Sequence, residues 1–200
     1  MVSRDIVRDD QPSHPGSEAW EKRLLRQARL GDQEAFGRLL SYYQDRVFNL
    51  VHRLVSGDAE AQELTQETFL QAFKSISRFR EGRPFRPWLF KIAINVCRNY
   101  LRSAARRELP QDMRNDNRAW SDKEVSTPEE GYLREHNIQL VEHLLASLSP
   151  EERSLLLLRY HEGLSYRELR AVFGKTETVL RKRVQRAIER LHNLAYGALQ

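Results

Sequence analysis

The sequence predicts an all-α protein made of two small helical domains joined by a flexible linker. Three observations point there. Apolar residues recur at i, i+3, i+4 and i+7, and no alternating strand pattern of useful length occurs. Helix punctuation repeats along the chain: Gly31 then Asp32, Gly57 then Asp58, Thr127-Pro128-Glu129-Glu130, Ser149-Pro150-Glu151-Glu152 and Ser165 with Glu168. Charge is segregated into two basic blocks separated by an acidic stretch.

Residues 1–17 lack an apolar signal-peptide core and read as a flexible tail. Helices are expected near 18–30, 33–55, 59–78 and 87–106, forming a first domain over 18–107. Residues 108–127 are acidic and polar, carry no helical stripe, and exceed an ordinary helix connection in length; they read as a linker. Trp120 is the linker's one large apolar residue, either an anchor for a partner or a side chain folded back on a helix. The second domain, 128–200, should hold helices near 128–147, 150–162, 166–173 and 177–196. The short helix 166–173 has Ser165 and Glu168 for a capping box and Gly174 for a left-handed end, and Thr176 caps the helix after it.

Composition excludes several classes. Of 200 residues, 40% are hydrophobic and 30% charged, a soluble helical profile with a net charge of +5. Cys97 is the single cysteine, so no intrachain disulfide is possible and a reducing, cytoplasmic setting is expected. No apolar run reaches the roughly 18–20 residues that span a bilayer, so no membrane insertion is expected. No Ser/His/Asp set, metal-ligand cluster or phosphate-binding glycine loop is present, and the histidines are scattered. The expectation is a non-catalytic chain with neither cofactor nor metal.

The charge blocks carry the binding chemistry. Arg78 to Arg107 holds a net +8, Glu108 to Glu135 a net −4, and Tyr166 to Arg190 a net +5. In the last block, residues 163–191 read as a helix-turn-helix. Leu180, Val184, Ala187, Ile188, Leu191 and Ala195 share an apolar back. Lys175, Thr176, Thr178, Arg181, Lys182, Gln185 and Arg186 lie at the helix start and on or beside the opposite face. An apolar back with a hydrogen-bonding front suits duplex recognition in the major groove; a solvated basic face is the bland alternative. In the first block, Leu89, Ile92, Ala93, Val96, Cys97 and Tyr100 form an apolar side. Lys91, Asn95, Arg98, Asn99, Arg102 and Arg106 form a polar stripe. The loop before it interleaves Arg80, Arg83 and Arg86 with Phe79, Phe85 and Trp88. Arginines hold phosphates and aromatics stack on unpaired bases, which suits an opening strand; Phe79 and Trp88 are better read as core. The preceding helix is acidic, with Glu60, Glu63 and Glu67 on one side and Ala61, Thr65, Phe69, Ala72, Phe73 and Ile76 on another. It fits a basic groove on a protein partner, or a solvated face favourable to the helix dipole.

Taken together, residues 20–196 resemble the extracytoplasmic-function (ECF) sigma factors, the small bacterial promoter-recognition subunits of RNA polymerase. GDQEAFGRLLSYYQDRVFNLVHRLV resembles the first helices of the family's region 2, and DAEAQELTQETFLQAF its clamp-binding pattern. RFREGRPFRPWLFKIAINVCRNYLR resembles the −10 segment, and LLASLSPEERSLLLLRYHEGLSYRELRAVFG resembles region 4. The resemblance implies that Asp58, Glu60, Gln62, Glu63, Gln66 and Glu67 bind core polymerase at the β′ clamp, with a further contact to the β flap. It implies that Arg80, Arg83, Arg86, Lys91, Asn95, Arg98, Asn99 and Arg102 bind the −10 DNA. Lys175, Thr176, Thr178, Arg181, Lys182, Gln185 and Arg186 would bind the −35 DNA, and an anti-sigma factor would be a further partner. Departures are Gln62 where the family has an acid, Arg170 where it has a small residue, and Thr178-Val179 where it has Gly-Thr. They leave open which −35 bases are read. Two rival readings stand beside it: a helix-turn-helix regulator independent of sigma function, and a helical adaptor for a protein partner. If 108–127 is a linker, limited proteolysis should cut there first and yield two folded fragments, visible by mass spectrometry; earlier cutting elsewhere counts against the assignment.

Overall fold

A computed structural model describes residues 14–55, 57–107, 144–145 and 147–197 of the chain. The first half holds α1 (Glu18–Arg29), α2 (Gln33–His52), α3 (Asp58–Ser75) with a 3-10 turn at Ile76–Arg78, and α4 (Phe85–Arg107). The second holds α5 (Pro150–Leu156) running into a π-helical turn at Leu157–His161, then α6 (Tyr166–Phe173) and α7 (Glu177–Gly197). The expected linker, Trp120 and most of the expected helix 128–147 lie outside the described residues, as do residues 1–13.

The caps explain where the helices start. Ser17 Oγ accepts from the Trp20 amide at 3.2 Å and Asp32 Oδ1 from the Ala35 amide at 3.0 Å. Ser149 and Ser165 each complete a capping box, with Glu152 and Glu168. Gly174 closes α6 at φ 66°, and Thr176 Oγ1 accepts from the Val179 amide at 3.4 Å. At Gly57-Asp58 the expected device differs. Gly57 itself occupies the cap position at φ 114°, Asp58 is already helical, and its carboxylate meets His52 Nε2 at 2.8 Å. Other boundaries differ from the sequence expectation: the helix expected over 33–55 ends at His52, and the one expected over 59–78 ends at Ser75 and tightens into the 3-10 turn. Helix α4 starts at Phe85, because Pro87 is tolerated within a first turn. The helix expected over 150–162 widens at its end, where the Glu162 amide bonds to the Leu157 carbonyl at 3.0 Å.

The core of the first half gathers on α2 and α4. Leu39, Val47 and Val51 of α2 meet Phe85, Leu89 and Ala93 of α4, with Trp20, Leu24 and Ala28 from α1 and Ala61 and Ala72 from α3. Phe79, Phe85 and Trp88 form an aromatic knot with centroids 5.2–5.8 Å apart, and Tyr43 packs on Phe85 at 5.4 Å. The Tyr43 hydroxyl donates to Glu21, and burial together with that carboxylate raises its pKa.

The two halves touch. Helix α4 packs against α6, and the Arg86 guanidinium lies 3.7 Å from the Glu168 carboxylate. Leu54, Ile94, Cys97, Arg98 and Leu101 face Pro150, Glu151 and Ser154 across the junction. The sequence assigns α4 one broad apolar side, Leu89, Ile92, Ala93, Val96, Cys97 and Tyr100, and so does not foresee this contact between the halves. A second stripe, Phe90, Ile94, Cys97 and Leu101 at i, i+4, i+7 and i+11, is buried or half-buried. The predicted back of α7 also shifts: Leu180, Val184 and Ala187 are buried, whereas Ile188 is 42% exposed.

The Ser149 hydroxyl donates to Glu152 at 2.6 Å and holds that carboxyl below its ordinary pKa. Ser149→Ala should cost about 1 kcal/mol of stability near neutral pH. A depressed carboxyl contributes fully above its unfolded pKa, and the contribution is lost as pH falls through the folded value. The part of the loss that runs through Glu152 should therefore fade as pH falls below the ordinary glutamate range and through the lowered folded value, which denaturant unfolding over a pH series will measure.

Candidate nucleic-acid and protein interfaces

Two basic surfaces and one acidic one are on display. On α4, Lys91, Asn95, Arg98, Asn99 and Arg102 are all exposed, because the helix's two apolar stripes leave only this side to solvent. Arg80 and Arg83 in the preceding loop are exposed as well, while Arg86 is half-buried and paired with Glu168. The loop turns at Gly82, φ 78°, a conformation that favours glycine. It is tied to α1 by an ion pair between Arg29 and Glu81, the one acid of this basic block. The aromatics do not join the arginines at the surface. Phe79 and Phe85 are buried and Trp88 is half-buried, so the exposed part of the loop offers charge rather than base-stacking rings.

At the entry to α7, Lys175 and Thr176, and on α7 itself Thr178, Arg181, Lys182, Gln185 and Arg186, are exposed together, as the spacing predicted. Two neighbouring arginines have other work. Arg183 lies 2.5 Å from Glu151 and Arg190 3.9 Å from Glu152, bracing α7 against the start of α5. Beside the basic face runs an open groove lined by Tyr160, Tyr166, Val184 and Ile188, which sequence reasoning missed. The π turn is the reason: it breaks the 3.6-residue period that a pattern search assumes.

On α3, Asp58, Gln62, Glu63 and Gln66 are exposed. Glu60 is half-buried and its carboxylate folds over Gly57, so it serves its own helix start. Glu67 is half-buried and accepts from Gln71 Nε2 at 2.9 Å. Two residues missing from the expected face belong to it: Leu70 is 52% exposed and Phe73 45%. Phe73 was expected to point inward, and one side of its ring does pack on Phe36, 5.2 Å away. The signal for both was the spacing Glu63, Gln66, Leu70, Phe73, a single stripe at i, i+3, i+7 and i+10. The surface is thus acidic at the start of the helix and apolar at its end.

Among the described residues no group of His, Cys, Asp or Glu could hold a metal, and no helix is long and apolar enough to cross a membrane. Burial pushes the Cys97 thiol up to about 12, which keeps it protonated and unreactive near neutral pH.

Comparison with known proteins agrees with this arrangement. The sigma-70 region 2 family matches residues 39–107 and the sigma-70 region 4 family residues 138–191. The ECF RNA polymerase sigma-E factor of Salmonella typhimurium is 35% identical over 176 residues, covering 85% of this chain and 91% of the relative. The RNA polymerase sigma-H factor of Pseudomonas aeruginosa is 31% identical over 174 residues, covering 84% and 90%. Two solved structures share the fold at a TM-score of 0.66: CnrH in complex with the cytosolic domain of CnrY, at 24% identity over 89% of this chain and 98% of that one, and the sigma factor RpoE in complex with the anti-sigma factor NepR from Bartonella quintana, at 22% identity over 80% and 96%. The chain belongs to the sigma-70 family, among its ECF RNA polymerase sigma factors. Members of this family are in general initiation factors rather than enzymes.

Proposed function

We propose that this chain docks on core RNA polymerase through α3 and directs it to promoters, with the α4 side capturing the −10 element and α7 reading the −35 element. The observation that carries the reading is the simultaneous exposure, on one all-helical chain, of two separate basic faces and one acidic-apolar face. Each matches in position a segment of the sigma family. The acidic start of α3, Gln62, Glu63 and Gln66, suits a basic groove, and Leu70 and Phe73 supply apolar area at its end. The chain itself is no enzyme on this reading; it acts with the polymerase in the cytoplasm. The first domain is 18–107, the second is 128–200, and 108–127 is the connection. An anti-sigma factor is a fitting regulator, since the fold is shared with RpoE bound to the anti-sigma factor NepR.

Transcription from a promoter library with purified core polymerase tests the whole reading: promoter-specific transcripts should appear only when the chain is added. A regulator that leaves sigma function to another subunit gives none under these conditions. Charge reversal at Glu63 and Glu67 to Lys should weaken binding to core polymerase, measured by fluorescence anisotropy, without changing the fold by circular dichroism. Unchanged affinity removes this face from the docking surface. The two basic faces should separate. Alanine at Arg181 or Lys182 should cost closed-duplex affinity by about 1–3 kcal/mol per good base contact and be partly rescued on a premelted template. Alanine at Arg98 and Arg102 should leave −35 duplex binding alone and slow strand opening in a stopped-flow assay. Equal loss of duplex affinity in both sets points instead to one diffuse basic surface.

A further inference from the structure

We propose that Tyr166, which belongs to none of the three faces, is a specificity-determining positioning residue: its ring holds the Arg181 guanidinium in place for contact with a −35 base. The inference rests on the reading of α7 as the −35 reader. Tyr166 is the first residue of α6, half-buried at the mouth of the groove beside α7. The Arg181 guanidinium carbon lies 4.1 Å from the centre of its ring, and that of Arg159 lies 4.9 Å from it. One tyrosine therefore carries two cations.

Each partner is fixed by a separate feature of the chain. Arg159 sits within the π turn, where the wide hydrogen bond from the Glu162 amide to the Leu157 carbonyl changes the helical register. Its Nη1 donates to the Leu164 carbonyl at 2.9 Å, which anchors the guanidinium against the start of the helix-turn-helix. Leu157 and Leu158 of the same turn stay buried, so the turn is set by the core and not by solvent. Tyr166 is fixed by the capping box of Ser165 and Glu168 immediately around it. Arg181 is otherwise weakly held. Its remaining partner, the half-buried Glu177 one turn earlier, stands 3.9 Å away, and the Arg181 side chain is largely exposed. Without the ring, an arginine here would populate many rotamers, and each base contact would bear the entropy of ordering it. A flat aromatic face orders the guanidinium plane before DNA arrives and leaves its N–H edge free to bond.

The test uses the full chain with core polymerase, on a promoter recovered from the library and on the set of its single base-pair substitutions in the −35 element. Arg181→Ala should flatten discrimination at one base pair. Tyr166→Leu should reduce discrimination at that same base pair by about two- to five-fold, the range of an exposed cation–ring contact. Tyr166→Phe, which keeps the ring, should retain it. The double variant Y166L/R181A should be no worse than R181A alone, since the tyrosine acts through the arginine. Should Y166L fail to fold by circular dichroism, Y166M takes its place. Full discrimination by Y166L overturns the inference, and so does tighter duplex binding, which would mean the ring sequesters Arg181. A uniform loss over all base pairs that Phe does not rescue also overturns it, as a purely structural role. No effect of R181A overturns the reading of α7 itself; an effect of R181A with none of Y166L overturns only the role of Tyr166.

Discussion

The burial of α4 along two stripes is the constraint on which the rest of the structure depends. Leu89, Ala93 and Val96 face the core of the first half, and Ile94, Cys97 and Leu101 face the second half. A helix with apolar surface on two sides has one narrow polar side left, and here that side holds Lys91, Asn95, Arg98, Asn99 and Arg102. The basic stripe is therefore sharp because the hydrophobic effect has taken everything else. The same constraint places the arginine loop. Phe79, Phe85 and Trp88 knot together at the start of α4, so the residues between them, Arg80 to Arg83, are pushed outward in a tight turn.

Much of this was legible in the sequence because it depends on local chemistry. The capping boxes at Ser149 and Ser165, the left-handed Gly174 and the exposed row from Lys175 to Arg186 follow from residue type and short spacing alone. What failed to show was set by tertiary contact. The second stripe of α4 has the same helical spacing as the first, and spacing cannot say that a second domain will cover it. The role of the loop aromatics had two sensible readings, and the knot with Tyr43 decided for the core. The π turn carries no composition signal, yet it brings Arg159 onto Tyr166 and leaves Tyr160 62% exposed. Phe73 belongs to two surfaces at once, which no single-face pattern represents.

The charged groups divide by what their partners leave free. Exposed pairs such as Lys22 with Glu18 and Arg38 with Glu34 contribute little to stability. Arg183 and Arg190, although on α7, are engaged with the acidic start of α5, where Glu151 and Glu152 also favour the helix dipole. Their neighbours Arg181, Lys182 and Arg186 remain outward. Acids within a basic domain thus select which cations stay available to a polyanion.

The contact of α4 with α6 has a consequence for how such a chain would meet its target. Elements centred ten and thirty-five base pairs from a start site are about 85 Å apart on B-form duplex, at roughly 3.4 Å per base pair. Helices that touch each other cannot reach two marks that far apart. The touching arrangement and a doubly engaged one are then separate states, and DNA selects only the second. For binding that engages both elements, the free energy that seals Ile94 and Leu101 against Pro150 and Ser154 is subtracted from the binding free energy, since the apparent affinity scales with the populated fraction of the open state. A polymerase that holds the halves apart would return that energy, so part of the enzyme's contribution to promoter affinity would come from holding the sigma factor open.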